Sequence, residues 1–145
     1  MSELSYLPAT EQDIPVIFSL CKDLIDAYED VGSIDYDRVL AWVGEKLRKN
    51  ITQYTCVYQG DNKVGYFCLA KQNDGWEIDD LYVLPEYRNR GIGTEILTHC
   101  LQIADSSVFL YVFTGNTGAI RLYERMGFIT KCNVGNTRMI MHRNG

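Results

Sequence analysis

The spacing of apolar positions changes period along the chain, and each change marks a boundary. A short, mostly apolar stretch, Leu4 to Leu7, reads as an edge strand ended by Pro8. Apolar residues then recur at helical spacing, with Ile14, Ile17, Cys21, Leu24, Ile25 and Tyr28 on one face. Thr10, with Asp13 three positions on, is a variant of the capping box and opens this helix. The pattern ends in a loop, Tyr28-Glu29-Asp30-Val31-Gly32-Ser33. A second helix is predicted from Tyr36 to Arg48, with Val39, Leu40, Val43 and Leu47 inward. Gly44 in its interior costs roughly 1 kcal/mol relative to alanine.

From Gln53 the period falls to two. Strands are predicted at 53–59, 64–71 and 76–84, joined by turns at Gly60-Asp61-Asn62-Lys63 and Asn73-Asp74-Gly75 and stopped by Pro85. Helical spacing returns from Gly91 to Ala104, with Ile92, Ile96, Leu97, Cys100, Leu101 and Ala104 as its stripe. Val108 to Phe113 is a continuous apolar run, as in a strand buried on both faces. Asn116 to Met126 is a further helix closed by Gly127, and 128–131 with 138–142 form a last hairpin. The order β-α-α-β-β-β-α-β-α-β-β predicts an α/β fold. The crossover helix should set Val108–Phe113 parallel to Trp76–Leu84, in one mixed sheet with helices on both faces. With no repeat or linker, residues 1–145 read as one domain.

Composition narrows the function. The 145 residues are 46% hydrophobic and 23% charged, which excludes disordered and fibrous classes. A net charge of −5 argues against a nucleic-acid partner held through its phosphates. No apolar run approaches the roughly 18 residues of a membrane span. The start, Met-Ser-Glu-Leu-Ser-Tyr, lacks the basic-then-apolar order of a leader. The cysteines at 21, 56, 68, 100 and 132 have no metal-ligand spacing, and His99 and His142 are the only histidines. No metal site is therefore expected, and the cysteines read as reduced core residues of a cytoplasmic protein.

Chemistry concentrates in Leu81-Tyr82-Val83-Leu84-Pro85-Glu86-Tyr87-Arg88-Asn89-Arg90-Gly91-Ile92-Gly93-Thr94. A strand leads through an Arg/Gly-rich loop into a helix. Glycines let backbone approach a ligand closely, and the N–H groups of a first helical turn bind anions. Arg88 and Arg90 add full positive charge. A Walker P-loop would need Gly-Lys-Ser/Thr, which is missing, and GxGxxG fails at its third glycine. An anion such as pyrophosphate fits this loop; a solvated strand–helix connection is the alternative.

Arg88-x-x-Gly91-x-Gly93 after Val83-x-Pro85 resembles the acetyl-CoA motif of the GNAT superfamily of N-acetyltransferases. Asn116-x-x-Ala119-Ile-x-Leu122-Tyr123-Glu-x-x-Gly127-Phe128 resembles its second cofactor segment, and the resemblance spans nearly the whole chain. It implies an acetyl-CoA-dependent N-acetyltransferase that moves an acetyl group to a primary amine by direct attack in a ternary complex. The acceptor would be a small-molecule or a protein amine, and a homodimer is compatible with the resemblance. The backbone from Arg88 through Asn89, Arg90, Gly91, Ile92 and Gly93 to Thr94 would hold pyrophosphate. Leu81, Tyr82 and Val83 would offer backbone groups to the pantetheine arm and thioester, and Asn116 a side chain. Tyr123 would protonate the leaving thiolate, although its helical spacing beside Ala119 and Met126 equally fits a packed core aromatic.

For the base, the resemblance offers Glu77, as in the histone-acetylating branch, or Asp80, as in some aminoglycoside-acetylating members. A bulk-water route without either is also open. Strict alternation puts 77, 79, 81 and 83 on one face, and a bulge would reverse the face. Some relatives carry a glutamate where Tyr111 stands here, which closes that route. Glu29, Asp30, Asp35 and Asp37 lie in or beside the loop that the resemblance places over the acceptor mouth; they would attract a cationic amine, or be ordinary solvated charges. A non-catalytic acyl-CoA-binding or regulatory module on the same fold is the alternative to an enzyme.

Overall fold

A computed structural model describes residues 3–145. Met1 and Ser2, part of the start read above for a leader, lie outside the described residues. The strands are β1 (Leu4–Pro8), β2 (Tyr54–Gln59), β3 (Asn62–Gln72), β4 (Gly75–Val83), β5 (Val108–Phe113), β6 (Ile129–Val134) and β7 (Arg138–Arg143). The helices are α1 (Ile14–Tyr28), α2 (Tyr36–Asn50), α3 (Ile92–Ile103) and α4 (Thr117–Arg125). This is the predicted order, with boundaries moved by one to three residues. The sheet runs β1-β2-β3-β4-β5-β7-β6. Only β4 and β5 are parallel, and β1 lies at an edge, where Pro8 removes no ladder donor that the sheet needs.

Two cores flank the sheet. On one face Ile17, Leu20 and Ile25 of α1 and Val43 and Leu47 of α2 pack on Tyr54, Cys56, Tyr66, Cys68 and Tyr82. On the other, Ile92, Ile96, Leu97 and Cys100 of α3 and Tyr123 of α4 pack on Val57, Phe67, Ile78, Val108, Leu110, Met139 and Met141. Gly44 has a packing reason. A Cβ there would lie 3.4 Å from the Arg48 guanidinium and 3.7 Å from the Phe18 ring, so the position sits at the contact of α2 with α1.

Asp13 does more than cap. After a 3-10 turn, Glu11–Asp13, its buried carboxylate accepts from the Thr10 N–H (2.8 Å), the Lys63 ammonium (2.7 Å) and the Tyr66 hydroxyl (2.7 Å). One cysteine departs from expectation: Cys132 is exposed on β6, an edge strand whose residues from Ile129 to Asn133 are exposed on both faces. Cys56, Cys68 and Cys100 are buried and Cys21 half-buried, all free, and burial pushes the Cys68 and Cys100 thiols up to about 12.

Candidate active site

The two parallel strands touch only at their beginnings. Trp76, Glu77 and Ile78 pair with Val108, Phe109 and Leu110, after which β4 and β5 part. The parting coincides with a bulge. Cys68 faces Asp80 and Leu69 faces Ile78, so Asp79 is the extra residue. Its effect on direction is large. Ala70 pairs with Glu77, Cys68 with Asp80 and Tyr66 with Tyr82, so Glu77, Asp80 and Tyr82 share the α1/α2 face. Leu81 and Val83 turn to the α3/α4 face.

The same register decides which backbone edge is free. The Leu84 N–H donates to the Val64 carbonyl (2.8 Å), which by antiparallel alternation turns the polar groups of Tyr82 to β3. Those of Leu81 and Val83 turn into the gap towards β5. The backbone of Tyr82 lies in the β3–β4 ladder, and its hydroxyl donates to Asp80 (2.9 Å).

At the end of β4 the chain passes Pro85 and enters α3 through two left-handed residues, Asn89 (φ 64) and Gly91 (φ 81). Asn89 is the one non-glycine residue of this kind among those described, and such strain gathers where a backbone is shaped for a ligand. Gly91 is the N-cap of α3 and brings no capping side chain, whereas Asp35 caps α2 and Asn116 caps α4. The first intrahelical bond is Glu95 N–H to Gly91 carbonyl (3.1 Å), so the N–H groups of Ile92, Gly93 and Thr94 precede any helical acceptor. Arg88 folds back to donate its Nε to the Val83 carbonyl (2.9 Å), and Arg90 lies 5.6 Å over the Tyr87 ring. This is a positive, amide-lined cradle at a helix start, and it fits a diphosphate.

The two glycines of the motif differ. A Cβ on Gly91 would meet nothing within 4 Å, but one on Gly93 would meet Leu122 at 3.4 Å and Val83 at 3.7 Å. Gly93 thus lies at ordinary contact distance from Leu122 of α4 and Val83 of β4, and Gly91 faces the open cradle. Gly91→Val forces a β-branched residue into the left-handed region and into that space. CoA affinity in calorimetry is expected to fall at least about tenfold, roughly 1.4 kcal/mol. Unchanged affinity in a folded variant removes the cradle from this loop.

The acidic groups on the α1/α2 face are unequal. Asp80 is nearly enclosed and accepts from the Tyr54 and Tyr82 hydroxyls. Lys46 of α2 binds Asp79 at 2.8 Å and lies 3.9 Å from Asp80. Burial raises the Asp80 carboxyl above the usual range, against Lys46 and the two phenols. Glu77 is half-buried, accepts from Gln72 at 3.1 Å, and is also raised, by burial and by Asp79 beside it. Tyr123 is buried on α4 with its ring 5.7 Å from Phe128, and burial, with Asp80 nearby, holds its phenol protonated well above the usual value. Asn116 spends its Oδ1 on the Ala119 N–H (3.4 Å). Tyr111 is exposed on the α1/α2 side, where the Arg138 guanidinium lies 5.8 Å over its ring. Lys46, Tyr54, Cys21 and the Tyr82 hydroxyl escaped sequence reading, since their meeting joins four elements distant in the chain.

The loop carboxylates are engaged locally. Glu29 accepts from Thr137 (2.6 Å), Asp30 from Ser33 (2.7 Å), and Asp35 caps α2 through the Arg38 N–H (3.3 Å). With Tyr28 stacked on Phe113 (6.1 Å), the Glu29 contact ties the α1–α2 loop to the β6–β7 hairpin.

The profile of the Acetyltransferase (GNAT) family matches residues 17–128. The chain belongs to that family. The peptidyl-lysine N-acetyltransferase YjaB of Salmonella typhimurium is 27% identical over 112 residues, 77% of this chain and 74% of that protein. The thialysine N-epsilon-acetyltransferase of Mus musculus is 33% identical over 78 residues, 48% of this chain and 46% of the enzyme. An uncharacterized N-acetyltransferase of Methanocaldococcus jannaschii, MJ1207, is 39% identical over 59 residues, 38% of this chain. The chain spans only 26% of that relative's length, and 36% and 28% of two further curated relatives. The PaiA N-acetyltransferase of Thermoplasma acidophilum, solved with coenzyme A, superposes over 99% of both chains with TM-score 0.77 at 18% identity. At that identity the likeness shows the fold. No helix among the described residues is long and apolar enough to cross a membrane.

Proposed function

We propose that the protein is an acetyl-CoA-dependent N-acetyltransferase acting by direct attack of a primary amine on the thioester. The observation that carries this reading is the parting of β4 and β5. It opens at the bulge, with the amide cradle of α3 and Tyr123 on one side and Glu77 and Asp80 on the other. The gap-facing backbone of Leu81 and the Val83 N–H suit the pantetheine arm, the Val83 carbonyl being taken by Arg88, and the residues from Arg88 to Thr94 suit the diphosphate. Asn116 keeps its amide NH₂ for the arm.

The amine approaches from the α1/α2 face. Glu77 accepts the ammonium proton, the neutral amine attacks, the new C–N bond forms as the C–S bond breaks, Tyr123 gives its proton to the departing thiolate, and the second nitrogen proton leaves as the amide forms and restores the phenol. Glu77 is the better base because it is the more open carboxylate, and burial with Asp79 beside it raises its carboxyl above the usual range, the direction that favours a proton acceptor. Asp80 has both oxygens engaged, and its nearness to Tyr123 supports it as the second candidate. The acceptor is a small-molecule or protein amine, as in the relatives' names, and the free cysteines support a cytoplasmic setting.

Thiol release from acetyl-CoA with a panel of amines tests the activity. Tight CoA binding with no release from any amine would mark a non-catalytic binding module. In the active protein, kcat/KM is expected to rise with pH as Glu77 ionises, above the ordinary carboxylate range. Glu77→Gln should flatten that rise; if Asp80→Asn flattens it instead, Asp80 is the base.

A further inference from the structure

Three carboxylates, Glu77, Asp79 and Asp80, crowd into four positions at the bulge. Like charges this close, in a half-buried place, cannot all ionise without a cation. The groups facing Asp80 come from every element packed around it. They are Tyr54 of β2, Cys68 of β3, and Glu77, Asp79 and Tyr82 of β4. Cys21 of α1 lies 2.9 Å from the Tyr82 hydroxyl, and Tyr123 of α4 is near. Within that ring the cation is Lys46, whose side chain is 20% exposed. One turn earlier on α2, the Trp42 ring lies 5.6 Å from the same ammonium and is 62% exposed. Lys46 is thus held between an aromatic face and the bulge, and it joins α2 to the point where β4 leaves β5.

We infer that Lys46 is a positioning residue for acetyl transfer, holding the bulged Asp79–Asp80 pair in place where β4 leaves β5. The inference rests on the proposed function. An exposed ion pair contributes little to stability. Here the pair lies largely out of water, and removing its cation leaves carboxylates that respond by taking up a proton. The effect must reach the base, because Lys46 opposes the upward shift of both Glu77 and Asp80. The α2 cation is thus one of the charges that act on both candidate bases.

The test is the pH profile of kcat/KM for the amine at saturating acetyl-CoA. In Lys46→Met the acidic limb is expected to move up by about one unit, a roughly tenfold loss below the limb that closes at high pH. Lys46→Arg should restore the wild-type limb, and CoA affinity should stay constant in both. If the Met variant does not fold, Lys46→Gln gives the same comparison. An unshifted limb, or a loss equal at every pH, overturns the inference. If Glu77→Gln or Asp80→Asn flattens the limb while the Lys46 variants leave it in place, the inference alone fails. If neither carboxylate variant changes the wild-type profile, the proposed base falls and the inference falls with it.

Discussion

Tyr123→Phe is expected to lower turnover about a hundredfold or more while acetyl-CoA affinity stays within about twofold, because general acid catalysis has this typical magnitude. The separation follows from where the ring sits. Tyr123 is 8% exposed and packs with Phe128 in the core that α3 and α4 build on the sheet. Phenylalanine keeps that packing and removes only the hydroxyl. Burial and the Asp80 carboxylate keep the phenol protonated throughout the neutral range, so the donor is present whenever thiolate leaves. The measurement is single-turnover transfer, which isolates chemistry from product release. A variant that transfers at the wild-type rate returns Tyr123 to a packing role and leaves the thiolate to be protonated by water.

The largest expected loss of stability lies away from the gap, at Asp13. Asp13→Ala leaves the Tyr66 hydroxyl without its acceptor and uncaps the entry to α1. The two effects together cost about 2–4 kcal/mol. The pH dependence has a definite sign. Burial alone would raise the Asp13 carboxyl, but hydrogen bonds from Lys63, the Thr10 N–H and Tyr66 outweigh it and hold its pKa below the ordinary value. A depressed folded pKa gives stability that is full above the unfolded value, near 3.9, and is lost as pH falls through the folded value. Urea melts should therefore show the whole difference at pH 7 and a smaller one near pH 3. A difference constant with pH would mean that the charge of Asp13 contributes nothing. Because Asp13 binds Tyr66 on the α1/α2 face of the sheet, whereas α3 packs on the other face, CoA affinity of the folded variant should be unaffected.

The element order was legible in the chain because each element carries its own local signal. Period-two alternation from Gln53, the helical stripe from Ile92 and the Thr10–Asp13 cap are all short-range patterns. The segment proposed for the diphosphate was legible for the same reason: Arg88-x-x-Gly91-x-Gly93 is contiguous, and a strand–loop–helix start is local geometry. Even there the roles of the two glycines were hidden. The contact of Gly93 with Leu122 joins α3 to α4, and no spacing along the chain reveals it.

What the sequence alone determined about this protein is its family, its mixed α/β order and the Arg/Gly-rich loop that opens α3. Which residues meet in the gap was decided by tertiary structure. Strict alternation would have opposed Glu77 to Asp80. One extra residue at Asp79, a register shift against β3, puts both on the α1/α2 face and frees the edges of Leu81 and Val83 rather than that of Tyr82. Lys46, Tyr54 and Cys21 joined that cluster only when α2, β2 and α1 packed over it. The physical reason is one of range. Propensity, capping and periodicity act within a few residues, whereas register, charge pairing and burial depend on neighbours that only the folded chain brings together.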